Sequence, residues 1–252
     1  MAGKSKARDE SRGLFARRKL DEMNIPRFLL LGSVLGAVFA LNARAQNAKP
    51  LLSAHLARRA EAPVLFAPRG WKIEKQISGD LNRDKKPDAA LVLVENTPAK
   101  DVDGAPTARR RALVVALREG KGWHRVGFNN SLLLGTRDGG AFYGMMETPV
   151  NVSIQSGVLV VNQENGSREV TETTHKFRLD KAAQRFYLIG AEKIDRDRAS
   201  GNVQTISTNY LTGFQKTVAI QSENERQTAK TTRVSRKLRS LESVRVEERY
   251  SD

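Results

Sequence analysis

Between residues 71 and 220 the apolar residues come in short runs of β type, separated by turn residues, and no stretch between them holds a helical period. That texture constrains the fold more than anything else in the chain. Parallel strands need long crossovers, usually helical, so a βαβ layout is disfavoured and an antiparallel meander is expected. The spacing predicts a first group of strands over 71–78, 88–95, 111–118 and 123–128, and a Gly-rich loop over 135–144. A second group covers 150–155, 158–162, 170–179 and 185–189. Ser156-Gly157 is a two-residue hairpin signal inside it. A closing hairpin over 203–210 and 214–220 turns at Thr212-Gly213. The expectation is an all-β chain of two four-stranded antiparallel units plus that hairpin. The run over 88–95, Asp-Ala-Ala-Leu-Val-Leu-Val-Glu, does not alternate, which is the pattern of a strand buried on both faces.

The N-terminal region carries a different signal. Residues 28–41 form an apolar run that suits the core of a secretory signal peptide and is shorter than the roughly 20 residues of a bilayer-crossing helix. Ala43 and Ala45 place small side chains three and one positions before a scissile bond at Gln46, as signal peptidases require. Residues 1–27 hold eight Lys/Arg and four Asp/Glu, long and mixed for the positive flank of a signal. Met23 offers a shorter one as the true start, with Arg27 as its cation. An uncleaved anchor is the alternative. The organisation expected is therefore a signal helix over 1–45, a lead-in over 46–69 with one short helix near 51–59, a β module over 70–221 and a charged tail over 222–252. Val234, Leu238, Leu241 and Val244 recur in the tail at helical spacing, so it reads as disordered or weakly helical.

The chain has no cysteine, so it forms no disulfide and carries no lipid on a cysteine; this agrees with a bacterial periplasm or secretion. Its net charge is +15, and removal of the first 45 residues leaves +10. Such a balance favours an anionic envelope polymer or an acidic membrane surface as partner. Nucleic acid is disfavoured by export and by the absence of a basic stripe interleaved with aromatics. The plain alternative is a solubilising charge. The histidines, His55, His124 and His175, have no metal spacing, and no Gly-x-Ser-x-Gly elbow supports a hydrolytic triad. Asp195 and Asp197 flank an Arg in an expected solvated turn, and Trp71 and Trp123 stand at strand starts where core packing is the default.

One segment carries chemistry. Gly79-Asp80-Leu81-Asn82-Arg83-Asp84-Lys85-Lys86-Pro87-Asp88 sets Asp80, Asn82, Asp84 and Asp88 at relative positions 1, 3, 5 and 9. Calcium takes six to eight oxygens, and a tight loop with oxygens at alternate positions wraps them round one point, the carbonyl of Lys86 adding another. Position 12 is Leu91 and a strand follows, so this is no EF-hand. Asp101 and Asp103 are further acidic residues weighed beside it. The alternative is an Asx-type turn in which the same side chains accept backbone N–H groups.

This segment, with the Ala-Leu-Val-Leu that follows, resembles the calcium loop of FG-GAP/VCBS-type repeats of the integrin-propeller class. Gly70-Trp71-Lys72-Ile73, 186–190 and 207–213 resemble exported bacterial proteins that carry such a loop. The resemblance implies blade-like sheets, a structural calcium ion and no enzymatic activity. Arg83 and Lys85 stand where the repeats have glycine, and position 6 is where the bend favours a left-handed backbone. The function expected is a non-enzymatic binding or structural module of the periplasm or cell envelope. The alternatives are an exported hydrolase, or hydrolase-associated domain, acting on an anionic envelope polymer, and a tail that attaches to acidic membranes.

Overall fold

Twelve strands build two antiparallel sheets in a computed structural model that describes residues 50–246. The expected signal peptide, with Met23 and the cleavage point after Ala45, lies outside the described residues, as do residues 247–252. The first sheet contains β1 (Arg59–Ala60), β2 (Trp71–Gly79), β3 (Asp88–Glu95), β4 (Arg111–Glu119) and β5 (Gly122–Asn129), in the order β1-β5-β4-β3-β2. The second runs in unbroken chain order through β6 (Val150–Gln155), β7 (Val158–Gly166), β8 (Glu169–Asp180), β9 (Arg185–Asp197), β10 (Val203–Asn209), β11 (Phe214–Gln221) and β12 (Arg226–Arg233).

The all-β meander expected from the sequence is what forms, but its division into two four-stranded units and a hairpin is corrected to five and seven strands. The lead-in adds β1 to the first sheet, and the expected hairpin joins the second. The reason is the length of β9. Its second half, Glu192 to Asp197, continues past the apolar residues and offers β10 an edge, with Val203 opposite Arg196 and Asn209 opposite Gly190. The tail is corrected as well. Residues 226–233 include three threonines, a β-branched type that suits strands, and pair along β11 from Arg226↔Gln221 to Arg233↔Phe214. Beyond them Leu241 and Val244 are fully buried around a single 3-10 turn rather than a helix.

β3 and β4 explain the core. Ala90 and Val92 on β3, with Leu113, Val115 and Leu117 on β4, face the second sheet and meet Leu159, Val161, Phe177, Phe186 and Leu188. The alternate residues, Ala89, Leu91, Leu93, Ala112, Val114 and Ala116, face the other way into a smaller cluster capped by Leu51, Leu56 and Phe66 of the lead-in. Both strands therefore read as continuous apolar runs because both of their faces are covered. The short helix expected near 51–59 is a 3-10 turn over Ser53–His55, which lays Leu51 and Leu56 on that outer face. The sheets approach closely where β2 meets β6: a Cβ on Gly79 would stand 2.7 Å from Ile154 Cγ2. Opposite, the final turn plugs the space between β5 and β9, with Asn129 Nδ2 donating to the carbonyls of Leu241 and Val244 at 2.6 and 2.7 Å.

Candidate functional site

The acidic loop joins β2 to β3 at one end of the sandwich. Its side chains serve the loop itself. Asp84 N–H donates to Asp80 Oδ1 at 3.1 Å and to Asn82 Oδ1 at 2.9 Å, Lys85 N–H to Asp80 Oδ2 at 2.8 Å, and Lys86 N–H to Asp84 Oδ1 at 2.8 Å. The Lys86 N–H is the main reason the Asp84 carboxyl lies below its ordinary range. Asp88 does something else. It is fully buried at the start of β3, where its Oδ2 accepts N–H from Leu81 (2.8 Å) and Asn82 (3.3 Å) and its Oδ1 accepts Arg118 N–H (2.8 Å). Burial raises the Asp88 carboxyl against those three donors. Of the five predicted ligands, Asp80, Asn82 and Asp84 are thus brought together within the loop, while Asp88 fastens the loop's two ends and the neighbouring strand.

Arg83 and Lys85 adopt the left-handed backbone, at φ 62° and 67°, which costs a non-glycine residue roughly 1 kcal/mol each. Arg83 has a use that glycine could not fill. Its Nη2 donates to the carbonyl of Ser156 at 3.3 Å, in the β6–β7 turn of the other sheet. That turn is the expected two-residue hairpin, and Ser156 and Gly157, both at positive φ (50° and 78°), make it type I′. Lys181 and Gln184, in the β8–β9 turn, share a shallow hollow with Asn82, Asp84 and His124. The loop is therefore the place where the turns of both sheets are tied.

Among the described residues no three His, Cys, Asp or Glu side chains are grouped as a metal cage. The donor set that is present consists of amide and carboxylate oxygens, four of which already accept one N–H each and keep a second lone pair. That chemistry suits a hard cation such as calcium, while the two lysines and Arg83 beside it oppose one. Asp101 and Asp103 do not contribute. Asp101 caps its own turn through the N–H groups of Asp103 and Ala105, beyond the far end of β3, about 25 Å away along the strand.

Three features were not visible in the sequence. Arg111 is buried, and its Nε and Nη2 each donate to Glu74 at 2.6 Å while Nη1 donates to the carbonyls of Leu134 and Thr148. In the sequence it ends an Arg109-Arg110-Arg111 run at the start of the expected strand over 111–118. The available signal was parity, since Arg111 shares a face with Leu113, Val115 and Leu117. Glu74 meets it because β2 bulges there, between Ile73 and Lys75. His175 is the second: it is fully buried on the inner face of β8, stacked at 6.2 Å on Phe177, and burial pushes it down to about 4. Asp195 and Asp197 are the third, lying at the end of β9 rather than in a turn. Asp195 accepts Thr171 Oγ1–H at 2.6 Å, and Arg168 pairs with Asp197 at 3.2 Å and lowers it.

The other site is a surface. β10, β11 and β12 form a three-stranded ribbon at the edge of the second sheet; β10 and β11 are about half exposed, with Thr208 buried, and β12 is exposed at all but Thr232. Residues 214–239 hold seven Lys/Arg and two Asp/Glu. Several cations of the sandwich are paired, as in Arg59–Glu119, Arg109–Glu147, Arg110–Glu95 and Arg196–Glu172, while others such as Lys72, Lys121, Lys176 and Arg178 are not, among the described residues. On the ribbon the unpaired cations lie close together in the chain: Lys216, Arg226, Lys230, Arg236 and Lys237 enter no ion pair among the described residues, and Arg233 lies over the Phe214 ring at 4.1 Å. No family model matches the chain, and neither the curated proteins nor the solved structures provide a match.

Proposed function

We propose that this chain is an exported, non-enzymatic β module of the bacterial periplasm or cell envelope that holds an anionic partner on its basic ribbon. The observation that carries the reading is the ribbon itself. Three strands extend past the core, and they and the segment after them carry seven Lys/Arg against two Asp/Glu, five of those cations entering no ion pair among the described residues. An unpaired basic surface attracts polyanions by steering and counter-charge, and added salt screens that attraction. The test is titration with a soluble acidic polysaccharide at low and high salt. Binding that weakens steeply with salt, and weakens again in a Lys230→Glu, Arg233→Glu variant, is the expected result. Equal binding by the variant removes the ribbon from the function.

The acidic loop belongs to the same proposal as the clamp of the sandwich end, with calcium as its ion. Asp80, Asn82 and Asp84 and the Lys86 carbonyl would hold it, in the weak range of extracellular calcium modules, roughly 10⁻⁴–10⁻³ M. The resemblance to FG-GAP/VCBS-type loops supports this. Calorimetry should register calcium with the native chain and not with Asp84→Ala; a native chain without heat leaves a hydrogen-bonded turn and no ion.

A further inference from the structure

The ribbon ends in a sheet edge unlike the other three. β1 is two residues long. β2 is broken by its bulge and lies against β6, and Lys75 Nζ reaches from it to the carbonyl of Val150 on β6 at 2.8 Å. Those three edges are therefore short, bent or covered, which are the usual means of keeping a sheet from pairing with another chain. β12 is eight residues long, pairs with β11 in unbroken register, contains no proline, and is exposed along its length. In an antiparallel edge strand every second residue turns its N–H and C=O outward, so β12 presents a regular row of donors and acceptors.

We infer that β12 is a docking edge for an extended acidic peptide segment of a partner protein, which adds to the second sheet as an eighth strand. The backbone row demands a strand-like partner, because alternating donors and acceptors at strand spacing are matched by another polypeptide and not by a sugar chain. The charges select an acidic one. Arg226, Lys230 and Arg233 lie on the strand itself, and Arg236 and Lys237 follow where the chain turns back past Gly213. The same charges oppose a second copy of the chain, since antiparallel self-pairing would set cation against cation. The inference rests on the ribbon's anionic binding role and gives it a partner class and a mode.

The experiment uses the purified protein and three probes: an eight-residue peptide alternating glutamate and valine, the same peptide N-methylated on alternate residues, and a soluble acidic polysaccharide. The unmodified peptide should bind and slow hydrogen exchange at alternate amides of β12. N-methylation keeps the charge but removes the backbone donors, and should weaken binding at least about tenfold. Arg226→Glu with Lys230→Glu should weaken it by a similar factor. If the methylated peptide binds as well as its parent, or only the polysaccharide binds, strand addition is overturned and the anionic role stands. If no probe binds, both fall, and the lysine and arginines of β12 act only as guards against edge pairing. Self-association of the native chain in gel filtration, protecting the same amides, would overturn the choice of partner and put a second copy on the edge.

Discussion

The slab formed by β3 and β4 and the ribbon formed by β10 to β12 are both antiparallel β structure, yet they are stabilised in opposite ways. Every residue from Asp88 to Val94 and from Arg111 to Leu117 is buried, with one apolar cluster on each face. The ribbon has almost no apolar cover and is held by tight turns, lateral hydrogen bonds and β-branched side chains. The difference teaches that stability and exposure are divided between regions of one molecule. Substitutions in the slab should act on folding, and substitutions in the ribbon should act on binding. The bulge between Lys176 and Phe177 marks the border, since Phe177, Phe186 and Leu188 lie in the core on one side of it while the sheet beyond becomes polar.

The largest effect is expected at Arg111, a cation fixed deep in the slab by four hydrogen bonds. Arg111→Met would leave Glu74 and two carbonyls without their donor, for a loss of about 3–5 kcal/mol in urea unfolding. Glu74→Gln added to it should restore part of that loss. If Arg111→Met costs no more than a ribbon substitution, the division between the two regions is wrong.

His175 gives the comparison a pH axis. Burial lowers it from 6.5 to about 4, so between those values the unfolded chain binds a proton that the folded chain refuses. Its contribution is whole above pH 6.5, falls as the pH drops, and is lost below about 4, by roughly 3 kcal/mol. His175→Leu should flatten that part of the stability profile; a variant that loses stability over the same window as the native chain places the effect elsewhere.

How much of this was legible depends on whether local pattern or distant packing decides a residue. The strand over 88–95 was read to the residue because its apolar run and its bounding turns agree, and Ser156-Gly157 announced its hairpin by chemistry alone. The acidic loop was recognised as a set of convergent oxygens. Nothing local showed that Asp88 would leave that set to bind Arg118 N–H, because Arg118 is thirty residues further on and arrives only through strand pairing. β12 was missed for a related reason. A sequence such as Arg-Gln-Thr-Ala-Lys-Thr-Thr-Arg has no apolar face, and it becomes a strand only because β11 offers it an edge. Burial of Arg111 and His175 likewise follows from which sheet lies opposite, which no periodicity records.

Asp88 tests the slab where it meets the acidic loop. Asp88→Asn keeps the shape but sets an amide N–H₂ among three N–H donors, and should cost about 1–3 kcal/mol. Asp84, whose carboxyl faces solvent in the same loop, should give a smaller stability change than Asp88 when replaced by alanine, while calcium heat responds to Asp84 alone.

The smallest expected stability effect is the most informative about function. Arg226→Glu with Lys230→Glu should move the unfolding free energy by no more than about 0.5 kcal/mol, because neither side chain is buried or ion-paired among the described residues. The same variant should lose most of its salt-dependent binding to an acidic polymer. A large drop in stability would mean that the ribbon's charges help to hold β12 on β11, and the region would join the slab as part of the folding unit. Unchanged stability together with unchanged binding would leave the ribbon's cations as a solubilising surface, and the reason for three strands beyond the core would have to be sought elsewhere on them.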